Sequence, residues 1–312
     1  MSAPKILSTG RCLPRRIVTN EELSRQVDTN DEWVFSRTGI HQRRFCDGER
    51  GMDLALGAAR QALERAGLRA EDIGVCLVAT FTPDYASPSM ACMLQKELGM
   101  GEDTVCFDLN AACAGFLYGL KTAHALLSDA PRPYALLIGC EVISRVMDMT
   151  DRNTCVLFGD GAGAAVLRRD EGADWHTVFG TRGDPVSIWV QGPGPEPSAV
   201  HMDGKAVFRF AVEVVEQSIR QLLDAQGCTL DDVDYVICHQ ANARIVDFVA
   251  KKLKAREGLF YKNMERYGNT SAASIPLALD ELAEVGALKP GMRILAVGFG
   301  GGLTWAGALF TW

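Results

Sequence analysis

Along this chain, short apolar runs alternate with stretches in which apolar residues recur every three or four positions. GVCLVAT (74–80), VCFDL (105–109) and YALLIG (134–139) have the length and composition of buried strands. LGAARQALERAG (56–67) carries the helical period and stops at Gly67. AGFLYGLKTAHALL (114–127) reads as the helix that follows the VCFDL strand. SPSMACMLQKELG (87–99) predicts a helix with Ser87 as N-cap, Pro88 in the first helical position and Gly99 at the stop. This alternation predicts layered α/β architecture around buried sheets.

The pattern also repeats. ALERAGLRAEDIGVCLVAT (62–80) aligns with LLDAQGCTLDDVDYVICHQ (222–240), AACAGFLYGL (111–120) with AASIPLALDE (272–281), and YALLIG (134–139) with RILAVG (293–298), at offsets of 160, 161 and 159. Three matches in order predict an internal duplication, with halves 1–170 and 171–312 joining near RRDEGAD (168–174). In this alignment Cys113 corresponds to Ser274. His239 ends the second-half strand, and Asn269 precedes the second helix start. Packing about a pseudo-twofold axis would bring these positions together.

Composition narrows the function classes. A chain of 312 residues can hold a large core or two packed domains. Its net charge of −7 argues against nucleic acid as the main partner, because phosphate binding needs a basic surface. MSAPKILSTGRCLP lacks the apolar core of a secretory signal, and no stretch reaches the roughly 18 apolar residues that span a bilayer. Ten cysteines without a C-x-x-C pair predict reduced thiols in a cytoplasm. Together with five scattered histidines they give no expectation of a metal site.

Cys113, in DLNAACAGFLYGL (108–120), sits among small residues at a strand-to-helix turn. By itself it reads as a buried filler, or as a thiolate whose pKa a helix N-terminus or an imidazole would lower. His239 alone reads as a core histidine, and Asn269 as a turn or cap residue. GDGAGA (159–164) has the form of a dinucleotide fingerprint, but the run after it is too short for the helix that fingerprint requires. It predicts strand, glycine turn, strand, as does GFGGGLTWAGALF (298–310). Glycines there would let backbone N–H groups approach a reacting oxyanion.

Six motifs in order carry a resemblance over essentially the whole chain: NDEWVFSRTGIHQRR (30–44), DLNAACAGF (108–116), DRNTCVLFGDGAGAAVL (151–167), CHQANARI (238–245), YGNTSAAS (267–274) and GFGGGLTW (298–305). The chain resembles the β-ketoacyl-[acyl-carrier-protein] synthase III family of thiolase-like condensing enzymes. The resemblance implies a duplicated five-layered α-β-α-β-α fold, a homodimer and a Cys-His-Asn triad at Cys113, His239 and Asn269. Thiolases pair Cys and His with a second Cys, elongating synthases use Cys-His-His, and chalcone-synthase-like enzymes are longer. The implied reaction is decarboxylative condensation of an acyl-CoA starter with malonyl-acyl-carrier protein, initiating fatty acid synthesis, with no redox cofactor or metal.

Further roles are implied residue by residue. Backbone N–H groups of Cys113 and Gly301 would form the oxyanion hole. Trp33 and Arg152 would sandwich the adenine of CoA, Arg37 would meet its phosphates, and Phe208 and Asn242 would line the pantetheine tunnel. Lys251, Lys252, Lys254 and Arg256 form a basic run that reads either as a solvated helix face or as a docking patch for an acidic carrier protein. The resemblance assigns Arg209, Arg244, Lys251 and Lys252 to docking. Acetyl-preferring members close the acyl pocket with a Phe donated across the dimer. Ser87 stands at that place here, so it either opens the pocket to longer starters or merely caps a helix. An acyltransferase of a secondary pathway and a non-catalytic partner subunit are the competing readings, and the intact triad argues against the second.

Overall fold

Two mixed sheets frame the molecule; the computed structural model describes residues 2–171, 175–192 and 198–312. In chain order the first stretch contains β1 (Ser2–Cys12), β2 (Arg16–Thr19), α1 (Asn20–Leu23), α2 (Asp31–Thr38), β3 (Gln42–Phe45), α3 (Gly51–Ala66), β4 (Ile73–Ala79), α4 (Met90–Leu98), β5 (Val105–Leu109), α5 (Gly115–Leu126), β6 (Tyr134–Glu141) and β7 (Gly161–Glu171). There follow β8 (Trp175–Asp184), β9 (Ile188–Val190), β10 (Val200–Met202), α6 (Gly204–Gln226), β11 (Tyr235–Cys238), α7 (Ala243–Lys252), α8 (Met264–Tyr267), α9 (Ser274–Glu284), β12 (Arg293–Gly300) and β13 (Gly302–Thr311). Residues 172–174 of the expected junction lie outside the described residues.

The first sheet has the order β1-β7-β6-β4-β5 and the second β11-β12-β13-β8. Their pairings correspond: β4–β6 and β11–β12 are parallel, while β6–β7, β7–β1, β12–β13 and β13–β8 are antiparallel. The second sheet lacks a full counterpart of β5. In its place Phe260 makes a single parallel bridge to Val236. Both central helices, α5 and α9, lie between the sheets, where Leu117, Leu120, Ile275 and Leu279 share one core with Leu77 and Leu137 of the first sheet and Ile294 and Ala296 of the second. Outside, α3 and α4 cover the first sheet, and α6 and α7 the second. The result is five layers, α-β-α-β-α.

The sequence pattern explains these layers. Parallel strands β4 and β6 are covered on both faces, so they are apolar at nearly every position rather than at alternate ones. On α6, Phe210, Val214, Ile219 and Leu222 bury one stripe, each fully buried side chain contributing about 1.5–3 kcal/mol. Two expectations need correction. The helix expected from Ser87 begins at Met90 with Ser89 as its N-cap, because the Asp108 carboxylate accepts the Met90 and Ala91 N–H groups at 2.7 and 2.9 Å. VLF (156–158), expected as a strand before GDGAGA, is turn ending in an isolated bridge from Phe158 to Asn269. GFGGGLTWAGALF does form strand, turn and strand, as β12 and β13.

Candidate active site

Each half delivers one short turn to the middle of the molecule. After β5, the Asn110 side-chain oxygen accepts the Ala112 N–H at 3.1 Å, and Ala112 takes a left-handed φ of +46°. Residues 112–114 then make one 3₁₀ turn into α5. In the second half, the Asn269 Oδ1 accepts the Ser271 N–H at 2.9 Å, Ser271 has φ +49°, and residues 271–273 make the matching turn into α9. These paired features set the register of the two turns and the helices they open at 159. Cys113 therefore matches Ala272, and Ser274 matches Gly115. The sequence alignment of Cys113 with Ser274 was two residues out because it followed the Ala-Ala identity, whereas the backbone turns repeat about the two asparagines.

The two turns pack against each other, and each also rests on the central strand of the opposite sheet. A Cβ on Gly139 of β6 would lie 2.2 Å from the Ala272 carbonyl oxygen. On Gly300 of β12 it would lie 2.8 Å from the Cys113 nitrogen and 3.2 Å from its sulfur. Only glycine permits either approach. Gly300 is thus the residue pressed on the thiol, while a Cβ on Gly301 would face Ala112 and Ile188.

Cys113, His239 and Asn269 are all buried and share neighbours: Ser271 bonds Cys113 and Asn269, while Phe299 and Gly300, adjacent on β12, meet His239 and Cys113. His239 follows β11 and is 1% exposed, with its N–H donated to the Val297 carbonyl at 2.7 Å. Its ring meets Phe299 edge-on at 5.2 Å, one residue from Gly300. Nδ1 lies 2.7 Å from the Ser274 hydroxyl, and Nε2 is buried with no partner among the described residues. The Asn269 backbone is clamped by the turn preceding GDGAGA: its N–H donates to Leu157 and its carbonyl accepts from Gly159, at 2.8 and 2.9 Å. Ser271 links the cluster, since it hydrogen-bonds the Cys113 thiol and donates to the buried Glu141 carboxyl at 3.2 Å.

Burial governs the electrostatics. It pushes the Cys113 thiol up to about 12, against the lowering effect of the Ser271 hydrogen bond and with a smaller raising effect from Glu141. It drives His239 down to about 3. Glu141 rises to about 8 because burial outweighs hydrogen bonds from Thr82, Phe81, Ser271 and Thr80. The resting pair is therefore a thiol and a neutral imidazole. The lowered thiol pKa expected from the helix start is not found, because desolvation outweighs any stabilisation of the thiolate there.

Trp33, Arg37 and Arg152 meet at the surface. The two guanidinium carbons lie 4.5 and 4.8 Å from the Trp33 ring centroid, and Arg152 also donates to the Asp28 carbonyl at 2.7 Å. A base held between Trp33 and Arg152 needs about 7 Å, twice the roughly 3.4 Å rise of stacked bases. A sandwich of adenine there requires Arg152 to swing off the indole. Asn242 caps α7 by accepting the Arg244 N–H at 2.8 Å and donates to the Arg37 carbonyl at 3.1 Å, joining α7 to α2. Phe208 of α6 packs edge-on against the exposed Phe248 of α7 at 6.0 Å. Arg209, Arg244, Lys251 and Lys252 are all exposed, but Lys252 is already paired with Glu216 at 2.6 Å. Ser87 is exposed on the loop before α4 and caps nothing there.

Family comparisons agree with this geometry. The family model for 3-oxoacyl-[acyl-carrier-protein (ACP)] synthase III matches residues 107–183, and the model for its C-terminal part matches residues 223–312. A beta-ketoacyl-[acyl-carrier-protein] synthase III of Clostridium acetobutylicum is 42% identical over 324 residues, covering 100% of this chain and 99% of the relative. The chain belongs to the 3-oxoacyl-[acyl-carrier-protein] synthase III family. As a synthase III it is an acyl-transferring condensing enzyme with the thiolase-like α/β fold. The solved synthase III of Aquifex aeolicus superposes with a TM-score of 0.94 at 39% identity, covering 99% of this chain and 100% of that one. The priming β-ketosynthase of the R1128 polyketide pathway gives 0.93 at 35% identity, covering 99% and 96%.

Sequence reasoning missed four residues of this synthase III site: Glu141, Ser271, Ser274 and Gly300. A signal existed for Glu141, a carboxylate ending the otherwise apolar run YALLIGCE. Ser271 and Ser274 lay inside a quoted motif, but their roles depend on contacts between the halves.

Proposed function

We propose that this chain condenses an acyl-CoA starter with malonyl-acyl-carrier protein, giving 3-oxoacyl-carrier protein, CoA and CO₂ in the first step of fatty acid synthesis. The observation that carries the reading is a buried neutral imidazole, His239, whose Nε2 is unpaired among the described residues, in a fold that also buries Cys113 and Asn269 on the two facing turns. Cys113 sulfur attacks the thioester carbonyl, the carbon–sulfur bond to CoA breaks, and the thiol proton leaves with CoA. The N–H groups of Cys113 and Gly301 hold the oxyanion. Malonyl-carrier protein then loses CO₂, and the electron pair passes into an enolate whose oxygen is held by His239 Nε2–H and the Asn269 amide. That carbanion attacks the acyl-Cys113 carbonyl, and the bond to sulfur breaks as the new carbon–carbon bond forms. Cys113 recovers a proton from solvent. No cofactor takes part.

CoA is read at the Trp33, Arg37 and Arg152 surface, with Phe208 and Asn242 along the pantetheine path. Arg209, Arg244 and Lys251 receive the acidic carrier protein. A homodimer is supported by β5, which ends its sheet with one unpaired edge and carries the exposed Val105. Ten free cysteines fit a reducing cytoplasm. Among the described residues no helix is long and apolar enough to cross a membrane. The likeness to a polyketide priming synthase favours a second reading, in which the same chemistry loads a starter unit in a secondary pathway. Incubation with acyl-CoA and malonyl-carrier protein tests the proposal: mass spectrometry should find acyl-Cys113 and then 3-oxoacyl-carrier protein. An acyl-enzyme that transfers its acyl group without CO₂ release would overturn it.

A further inference from the structure

We propose that Ser274 is the positioning residue that holds His239 in the tautomer with its proton on Nε2. The argument rests on hydrogen-bond capacity. The Ser274 hydroxyl is buried and has two partners: the Gln240 N–H, which it accepts at 3.4 Å, and His239 Nδ1 at 2.7 Å. A hydroxyl carries one proton. Gln240 can only donate, so the Ser274 proton goes to Nδ1. If Nδ1 held the imidazole proton instead, the Ser274 oxygen would accept from both partners, its own proton would have no acceptor among the described contacts, and Nε2 would be a buried lone pair aimed at the thioester oxygen. With the serine as donor, Nδ1 is an acceptor and Nε2 must carry the N–H. The His239 Nε2, unpaired among the described residues, is then the donor that an enolate oxygen needs.

The internal repeat supplies a comparison within the same molecule. Ser274 matches Gly115 at the start of the other central helix, and His239, following β11 where the offset is 160, matches Ala79 at the end of β4. The first half keeps this contact as a packed pair of small residues, with a Cβ on Gly115 placed 3.1 Å from the Ala79 Cβ. A hydroxyl at this helix start is therefore not required by the fold, and the serine appears where the partner is an imidazole.

The inference rests on the condensing role of His239 given above, but its first test does not. Nitrogen-15 NMR of the histidine ring in the full-length protein should show Nε2 protonated and Nδ1 as an acceptor. Ser274→Ala and Ser274→Gly should both mix the tautomers. A wild-type ring protonated on Nδ1, or an unchanged ring in the variants, overturns the inference and leaves the condensing function standing. In the half-reactions, both variants should acylate Cys113 within about twofold of wild type, while kcat for malonyl decarboxylation falls about 10- to 10²-fold, the usual cost of losing an outer orienting partner. Two variants of different bulk separate hydrogen bonding from packing. Loss in only one of them, or equal loss in both half-reactions, counts against a tautomer role. Intact NMR behaviour with no CO₂ release by wild type would instead strike at the proposed function.

Discussion

Cys113 is a thiol at rest, and this sets how it reacts. Burial holds it at about 12, so its thiolate fraction climbs about tenfold per pH unit across the neutral range. Alkylation of Cys113 by iodoacetamide, followed by peptide mapping, should therefore keep accelerating beyond pH 9; a plateau near pH 7 would mean that the site stabilises the thiolate. Cys113→Ala should abolish acyl-enzyme formation with the fold intact, and acylation of another cysteine in that variant would refute the assignment. His239, held near 3, stays neutral from pH 5 to 8, so the decarboxylation half-reaction should show no ascending limb from its ionisation. His239→Ala and Asn269→Ala should still acylate but lose about 10²–10³ in CO₂ release, the typical cost of one oxyanion donor. Gly300→Ala tests the close approach of β12. Its Cβ cannot lie 2.8 Å from the Cys113 nitrogen, so the thiol must shift, and a displacement of about 1 Å costs about 10²-fold in acylation.

On α7, helical geometry arranges the proposed docking groups. Arg244, Phe248 and Lys251 stand at i, i+4 and i+7 and so share one face. Lys252 points toward α6, where it neutralises Glu216. The four cations named from sequence are therefore unequal partners for an acidic carrier. Arg244→Glu and Lys251→Glu should each weaken the malonyl-carrier step in a salt-sensitive way and leave acyl-CoA priming nearly unchanged, because rim charges act mainly on association rate. Lys252→Ala should have the smaller effect on that step. Steady-state kinetics of the two half-reactions at low and high salt will separate these, and equal losses in both would argue against docking on this face.

At the scale of the whole molecule, the buried cluster depends on both halves, and the proposed starter pocket would draw on a second copy. Ser87 is exposed in the single chain and lines no part of its own Cys113 cluster among the described contacts. In the proposed homodimer Ser87 would serve the acyl pocket of the other copy. A serine in place of a phenyl ring leaves room for a longer chain, worth about 0.8 kcal/mol or roughly fourfold per buried methylene. Wild type is expected to accept butyryl- or branched-chain acyl-CoA, and Ser87→Phe to shift preference toward acetyl-CoA. A kcat/KM series over acyl-CoA lengths checks this; a wild type restricted to acetyl-CoA would refute the open pocket.

The sequence by itself predicted layered α/β architecture and an internal repeat, and the resemblance carried by its motifs named Cys113, His239 and Asn269 as the candidate triad. Apolar runs and helical periods report burial directly, and Cys113, His239 and Asn269 stand within local motifs. Other features were decided only by tertiary structure. The register of the repeat depends on paired asparagine turns that residue identity does not reveal. The thiol and imidazole pKa values depend on desolvation, which exists only once both sheets close over the site. Ser271, Ser274, Glu141 and Gly300 gain their roles from atoms that are at least 34 and up to 187 residues away along the chain. Local sequence carries the propensities of each segment, but hydrogen-bond partners across a pseudo-twofold interface are set by packing.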